Sequence, residues 1–277
     1  NTRRVEKAMS PILQGIQDLS QGQHHHLEEC GELAEINAGL NRAGEYLMQK
    51  DNTRAEWIRG VSHDICTPLS MVLGYAGELE DNDALSTEAR QQAGIIRRQG
   101  ERLKSLVDDL NLTTKLEYAL QPVRREMVDL VEIGRQAASE VLNGGLPDRY
   151  ELEFSEDRPG CTARMEGDAA LLRRMLDNLI RNSIVHNPQG CHISVAVGSE
   201  DGRCTCAVTD DGKGMDAVRL DALNRGADVS SIQGGEHGLG LKLVRQIAKA
   251  HGGTVQFRQA VPQGLEGFIS FPVNSAI

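Results

Sequence analysis

Apolar residues recur at Ile58, Val61, Ile65, Leu69, Val72, Ala76 and Leu79, in steps of three and four, and this stripe limits what the chain can fold into. Such spacing draws one apolar ridge along an α-helix. The ridge ends at the acidic turn Asp81-Asn82-Asp83. Ser86 then offers an N-cap to a second helix, whose Ala89, Ile96, Leu103, Leu106 and Leu110 keep heptad-compatible spacing to about Leu120. Pro122 stops that helix, because proline cannot donate the next backbone hydrogen bond. A hairpin this long and narrow cannot bury its stripe alone, so the pattern predicts a four-helix bundle shared by two chains.

Upstream, Val5, Met9, Ile12, Ile16 and Leu19 form another seam, which resumes after a polar connector (Ser20 to Glu29) at Leu33, Ile36, Leu40, Ala43 and Leu47. Two short helices that need partners follow from this. His24, His25 and His26 in the connector read as a solvated loop, since no second ligand cluster accompanies them. Only 3% of the 277 residues are aromatic while 39% are hydrophobic, so aliphatic side chains must fill the interior, which favours helix-on-helix packing. The length predicts two or three compact units. Thirty Lys and Arg against 40 Asp and Glu leave a net charge of −10, which argues against a nucleic-acid or anionic-membrane surface but leaves room for a small anionic ligand. No run approaches the ~20 apolar residues that cross a bilayer, so a soluble chain is expected. Six scattered cysteines indicate neither a zinc site nor a disulfide framework.

Beyond Pro122 the texture turns to mixed α and β. Strands are predicted at Val123–Val128, Tyr150–Ser155, Thr162–Glu166, His192–Val197, Cys204–Asp210, Thr254–Gln259 and Phe268–Val273. Helices are predicted at Leu130–Leu142, Asp168–Asn187, Ala217–Asn224 and Leu239–His251. Adjacent strands read as hairpins, so an α+β sandwich fits better than a doubly wound sheet.

Four constellations stand out against these elements. His63 lies two residues from both Val61 and Ile65, about 200° around the helix from each, so it points away from the apolar stripe. Asp64 adjoins it, Thr67 shares its face one turn on, and Pro68 removes the bond to the Asp64 carbonyl and should bend the helix there. Asn178 and Asn182 stack four apart on an otherwise apolar helix, where buried amides require partners or a ligand. Asp210-Asp211-Gly212-Lys213-Gly214 follows a strand directly; its glycines permit close backbone approach while the carboxylate accepts hydrogen bonds. Gly234-Gly235-Glu236-His237-Gly238-Leu239-Gly240 opens a helix, whose N-terminus suits phosphate, although neither a Walker A loop nor a dinucleotide fingerprint is present. Between Met215 and Gly235 the polar stretch with Gly226, Ser230 and Ser231 reads as a mobile lid.

Taken in order, the four resemble the H, N, G1 and G2 boxes of bacterial sensor histidine kinases. The resemblance spans the chain. Residues 1–50 resemble a HAMP signal-transmission module, on the strength of Pro11 and the run from Glu32 to Arg42. Residues 51–121 resemble the dimerisation and histidine-phosphotransfer hairpin, and 122–277 the ATP-binding sandwich of the gyrase, Hsp90, histidine kinase and MutL type. It implies that His63 receives the γ-phosphoryl group of ATP, that Asp64 supports its ring, and that Thr67 orients a water for phosphatase action. It further implies Mg²⁺ on Asn182 with help from Asn178, adenine on Asp210 with Gly212 and Gly214, and phosphates on Gly238, Leu239 and Gly240. The implied partners are a second copy of the chain, through the hairpin and HAMP module, and a response-regulator receiver aspartate. No nucleic acid is implied. The implied location is the cytoplasmic portion of an inner-membrane protein, anchored by a segment upstream.

Three departures from the family pattern accompany this. Val185 stands where a basic residue is common, leaving Arg181, Lys213 or Lys242 to serve the phosphates. The stretch Leu220–Arg225 lacks the usual phenylalanine, so Leu220 or Leu223 must anchor the lid, and Glu236 replaces a glycine. These leave open a different class of function, a catalytically weak nucleotide-gated scaffold.

Overall fold

A computed structural model describes residues 2–20, 26–30, 33–118, 122–157, 162–226 and 238–273. His24, His25, Cys161, Ser230, Ser231 and the stretch from Gly234 to His237 lie outside the described residues. The chain divides into two compact units, Asn1–Tyr118 and Ala119–Ile277.

The first unit is helical: α1 (Thr2–Ser20), α2 (Ala34–Glu80) and α3 (Thr87–Glu117). The second seam and the first helix of the hairpin, expected as separate elements, are one helix of 47 residues that contains residue 50. Nothing between Leu47 and Trp57 breaks it: the segment holds neither Gly nor Pro, and its polar residues simply face water. The helix also runs uninterrupted through Pro68. At its end Ser86 caps α3 as predicted, its hydroxyl accepting from the Ala89 N–H at 3.2 Å. The turn is braced by Arg97, whose Nε lies 2.6 Å from Glu80 Oε2, and by Arg90, which donates to the Glu80 carbonyl at 2.8 Å.

Between α2 and α3, Gly100 receives the side chain of Leu73; an added Cβ would sit 2.7 Å from Leu73 Cδ2. Among the described residues, the buried apolar side chains of this unit are small or few: Ala55, Ala76, Ala93, Val107 and Leu116. Ile65, Val72 and Leu79 on α2, and Ile96, Leu103 and Leu110 on α3, stay largely exposed at seven-residue intervals. Near the N-terminus, Leu27 of the connector packs on Gly15 of α1 beside Leu40 of α2. The buried Asn41 amide holds that connector, accepting from the Leu27 N–H at 2.9 Å and donating to the Leu27 carbonyl at 2.9 Å.

The second unit is the expected α+β sandwich. Its elements are β1 (Glu126–Asp129), α4 (Leu130–Asn143), β2 (Glu151–Glu156), β3 (Arg164–Gly167), α5 (Ala169–His186), β4 (His192–Glu200), β5 (Arg203–Asp210), α6 (Ala217–Arg225), α7 (Gly238–Ala250), β6 (Thr254–Gln259) and β7 (Leu265–Pro272). The main sheet runs β2-β4-β5-β7-β6, antiparallel except for the parallel pair β2–β4, and β1 pairs with β3 separately. Alternate residues face the helices, so Val197, Cys206 and Ile269 lie in one buried row across three strands. Leu172, Met175, Leu176 and Ile180 of α5 and Leu243, Val244 and Ile247 of α7 complete the core. Cys204 and Cys206 share the buried face as core fillers, and burial pushes the Cys206 thiol up to about 12.

Candidate functional site

On α2, His63 presents its imidazole to solvent, with 82% of the side chain exposed and Asp64 at 85%. Its Nδ1 lies 3.5 Å from Asp64 Oδ1, so the carboxylate faces one ring nitrogen and leaves Nε2 open. Thr67 Oγ1 donates to the His63 carbonyl at 3.1 Å, and Ser62 turns inward to bond the Ile58 carbonyl at 2.8 Å. The apolar stripe thus fixes the helix face, and the face fixes the exposure of His63.

In the sandwich unit, α5 is held at its start by Asp168, whose Oδ1 accepts from Ala170 N and Leu171 N. The backbone N–H of Asp168 in turn donates to Nε2 of the buried His251 at 3.0 Å, while His251 Nδ1 donates to the Ile247 carbonyl at 2.8 Å. Both contacts require the neutral ring with its proton on Nδ1. Burial, above all, lowers the pKa of His251 below its ordinary value. The histidine therefore ties the end of α7 to the start of α5.

Along α5, Asn178 and Asn182 lie half-buried on the same face, and Asn178 Nδ2 donates to the Arg174 carbonyl at 3.0 Å. The first turn of α7 packs directly on this face: a Cβ on Gly240 would come within 3.1 Å of Asn178 Oδ1. The N-terminal turn Gly238-Leu239-Gly240 is therefore brought beside the amide pair, which joins helix-terminal N–H groups to hard oxygen donors. Val185 is 48% exposed and contributes no charge.

Asp210 ends β5 and is buried, at 4% exposed. Oδ2 accepts from Ser183 Oγ at 2.9 Å; Oδ1 accepts from Asn187 Nδ2 at 3.3 Å and from the Gly212 N–H at 3.0 Å. Gly212 has to lack a side chain because a Cβ there would overlap the Asn187 amide. Gly214 takes a left-handed φ of +68°, which an L side chain adopts only with strain. Its backbone packs against Gln259 and Gly264. Burial and then the Asp210 charge push the nearby Cys191 thiol up to about 11, so it remains a neutral filler.

Ser183, Asn187, Gly264 and His251 complete the site without being among the residues expected from the sequence. Ser183 and Asn187 carried a signal, since they are four apart on α5 just as Asn178 and Asn182 are. Of the two proposed anchors below α6, Leu223 is buried and Leu220 half-buried. A polar anchor stands beside them: the Asn224 amide donates to the Phe257 carbonyl at 2.8 Å and accepts from the Phe257 N–H at 2.9 Å. The Arg245 guanidinium reaches the Leu223 and Asn224 carbonyls at the end of α6.

Comparison with known proteins defines the class to which this arrangement belongs. Residues 167–275 match the family described as "Histidine kinase-, DNA gyrase B-, and HSP90-like ATPase", and residues 53–119 match the "His Kinase A (phospho-acceptor) domain". The chain is 31% identical over 209 residues to sensor histidine kinase YvrG of Bacillus subtilis, covering 73% of this chain and 36% of that protein. It is 28% identical over 236 residues to the probable sensor histidine kinase TcrY of Mycobacterium tuberculosis, covering 81% of this chain and 48% of that protein. It therefore spans less than half the length of these two relatives. Among solved structures it resembles full-length ShkA in complex with AMPPNP, with a TM-score of 0.60 at 28% identity over 78% of this chain and 45% of that one. It shares its fold with AdeS of Acinetobacter baumannii, with a TM-score of 0.55 at 18% identity over 77% of this chain and 98% of that one. The chain belongs to the sensor histidine kinase family: a helical hairpin followed by an ATP-binding α/β sandwich.

Proposed function

We propose that this chain transfers the γ-phosphoryl group of ATP to His63 and passes it on to an aspartate of a response-regulator receiver domain. The observation that carries the reading is the imidazole itself, 82% exposed on a helix built for burial, with Asp64 on one ring nitrogen only. With the proton on Nδ1 facing Asp64, the Nε2 lone pair attacks the γ-phosphorus. The N–P bond forms as the bond to the β–γ bridging oxygen breaks, and ADP leaves with that electron pair. The ring then carries positive charge, which the Asp64 carboxylate offsets. Attack by the receiver's carboxylate oxygen breaks the N–P bond and returns a neutral imidazole.

In this reading Asp210 accepts from the adenine amino group, with Gly212 and Gly214 allowing the base to approach. The N–H groups of Gly238, Leu239 and Gly240 hold phosphate oxygens at the start of α7. Asn182 would supply an amide oxygen to Mg²⁺, with Asn178 supporting, and the ion would offset phosphate charge during the transfer. Thr67 directs its proton to the His63 carbonyl, so its exposed oxygen is an acceptor that orients a water for dephosphorylating the receiver.

The half-open seam of Ile65, Val72, Leu79, Ile96, Leu103 and Leu110 supports a homodimer built on the hairpin. The proposed divisions are a HAMP module at 1–50, the phosphotransfer hairpin at 51–121 and the ATP-binding domain at 122–277. The packing of Leu27 on Gly15 beside Leu40 supports the first of these. No helix among the described residues is long and apolar enough to cross a membrane. The proposal includes an inner-membrane anchor outside residues 1–277, with this chain as the cytoplasmic portion.

Incubation with γ-labelled ATP and Mg²⁺ tests the kinase reading. Acid-labile, base-stable label is expected on the parent and none on His63→Gln; a parent that takes up no label overturns it. Thr67→Ala is expected to keep autophosphorylation and slow receiver dephosphorylation at least several-fold; equal rates would remove the phosphatase role.

A further inference from the structure

The Asp210 carboxylate is held by more donors than burial alone requires. A carboxylate offers roughly four lone-pair directions. Asn187 Nδ2 and the Gly212 N–H occupy both on Oδ1, and the Ser183 hydroxyl occupies one on Oδ2. One acceptor direction therefore remains, on Oδ2. Ser183 has a single proton, and its other neighbour, the Leu179 carbonyl, is farther away at 3.4 Å than Asp210 at 2.9 Å. The proton goes to the carboxylate.

Asn187 is fixed at both ends of its amide. Its nitrogen donates to the Ser183 carbonyl at 2.8 Å and its oxygen accepts from the Lys213 N–H at 3.0 Å, so the reverse orientation would mismatch both contacts. Ser183 and Asn187 are 3% and 7% exposed, which shuts water out of their contacts with Asp210. On the other side the Gly264 backbone, at φ +117°, lies so close to the Asp210 carbonyl that a Cβ would overlap it. That contact fixes the Asp210 backbone, and the three hydrogen bonds hold the carboxylate plane upon it.

We propose that Ser183 and Asn187 are positioning residues that set the base selectivity of this site, an inference that rests on Asp210 being the adenine-contacting carboxylate. By filling three of four acceptor directions they leave one, in a fixed place, for a single N–H donor. A purine with an amino group there satisfies it. A purine with a carbonyl oxygen there sets one acceptor against another, with no hydrogen between and no rotation available to relieve it. Without the Ser183 hydroxyl, Oδ2 gains a second open direction and the carboxylate can turn to take a water. The amino purine then loses its fixed acceptor and the carbonyl purine loses part of its penalty.

The test is competition binding on the whole 277-residue chain with Mg²⁺, using a fluorescent ATP analogue displaced by ATP or by GTP. Parent, Ser183→Ala, Asn187→Ala and Asp210→Asn are compared. Ser183→Ala is expected to weaken ATP about ten-fold, the scale of one charge-assisted hydrogen bond, and GTP less than two-fold, so the ATP preference falls. In turnover the effect falls on KM for ATP more than on kcat. Only folded molecules bind, so the preference ratio is independent of any loss of stability. Asn187→Ala is expected to lower the same ratio. An unchanged ratio in both variants overturns the inference. A parent that does not prefer ATP, or an Asp210→Asn variant that prefers it as strongly as the parent, overturns instead the adenine reading beneath it.

Discussion

On α2 and α3, Ile65, Val72, Leu79, Ile96, Leu103 and Leu110 stand roughly half-exposed, whereas on α5 Leu172, Met175, Leu176 and Ile180 are sealed from water. The residue types are the same and the helical periodicity is the same. What differs is the cover. The sandwich unit brings its own sheet, so one chain closes its core. The helical unit has only a second helix to offer, and two cylinders in contact leave the far flank of each ridge open. Apolar surface in a helix therefore means opposite things in the two units: a finished core in one, and in the other an open seam, the surface that the proposed homodimer would cover.

The largest separation between the units comes from charging the open seam. Leu103→Glu is expected to weaken self-association by at least a hundred-fold, since a buried unpaired carboxylate costs several kcal/mol, while nucleotide affinity in the sandwich unit is unchanged. Sedimentation at several concentrations reads the first, and analogue titration the second. An undisturbed dimer would mean that the seam faces something other than a second copy. Next in size is Leu172→Ala in the closed core, expected to destabilise the sandwich unit by about 2–5 kcal/mol through lost burial and a residual cavity. The matching Val72→Ala on the open seam should cost less than about 1 kcal/mol in dilute monomer. Denaturant unfolding of the two variants checks the pair, and equal losses would erase the contrast.

The smallest effect is a pH dependence confined to the sandwich unit. Burial holds the His251 pKa below its ordinary 6.5, and its two partners demand a neutral ring. Below about pH 6.5 the unfolded chain binds the proton that the folded chain refuses, so stability contributed by this residue is full above that pH. It falls as pH drops toward the lowered folded value, by at most about 1.4 kcal/mol per pH unit. Unfolding midpoints of parent and His251→Asn at pH 7.5 and 5.5 should show the parent losing more on acidification. Parallel losses would mean that the ring does not titrate on unfolding.

Much of this was legible in the residues alone. The hairpin turn, the Ser86 cap and every strand of the sandwich declared themselves, because period and turn chemistry are local. The break expected after Leu47 did not occur: a gap in the apolar seam is no helix stop when the intervening residues include neither Gly nor Pro. Asn178, Asn182, Asp210 and the glycines of the fourth constellation stood out by type and spacing. Ser183 and Asn187 share the same four-residue spacing, but a serine and an asparagine near a helix end read as ordinary until a strand 23 residues on from Asn187 delivers a carboxylate between them.

The sequence by itself determined the strands, the helices apart from the joining of two of them into α2, and the outward face of His63, because each depends on side chains within a few turns of one another. It also supplied the ordered motifs that mark the family. Tertiary structure decided the rest. Only packing could bring Gly240 against Asn178, join His251 to the start of α5, and place the Ser183 and Asn187 side chains on Asp210, because those contacts link residues from 23 to 83 positions apart and depend on how sheet and helices close on each other.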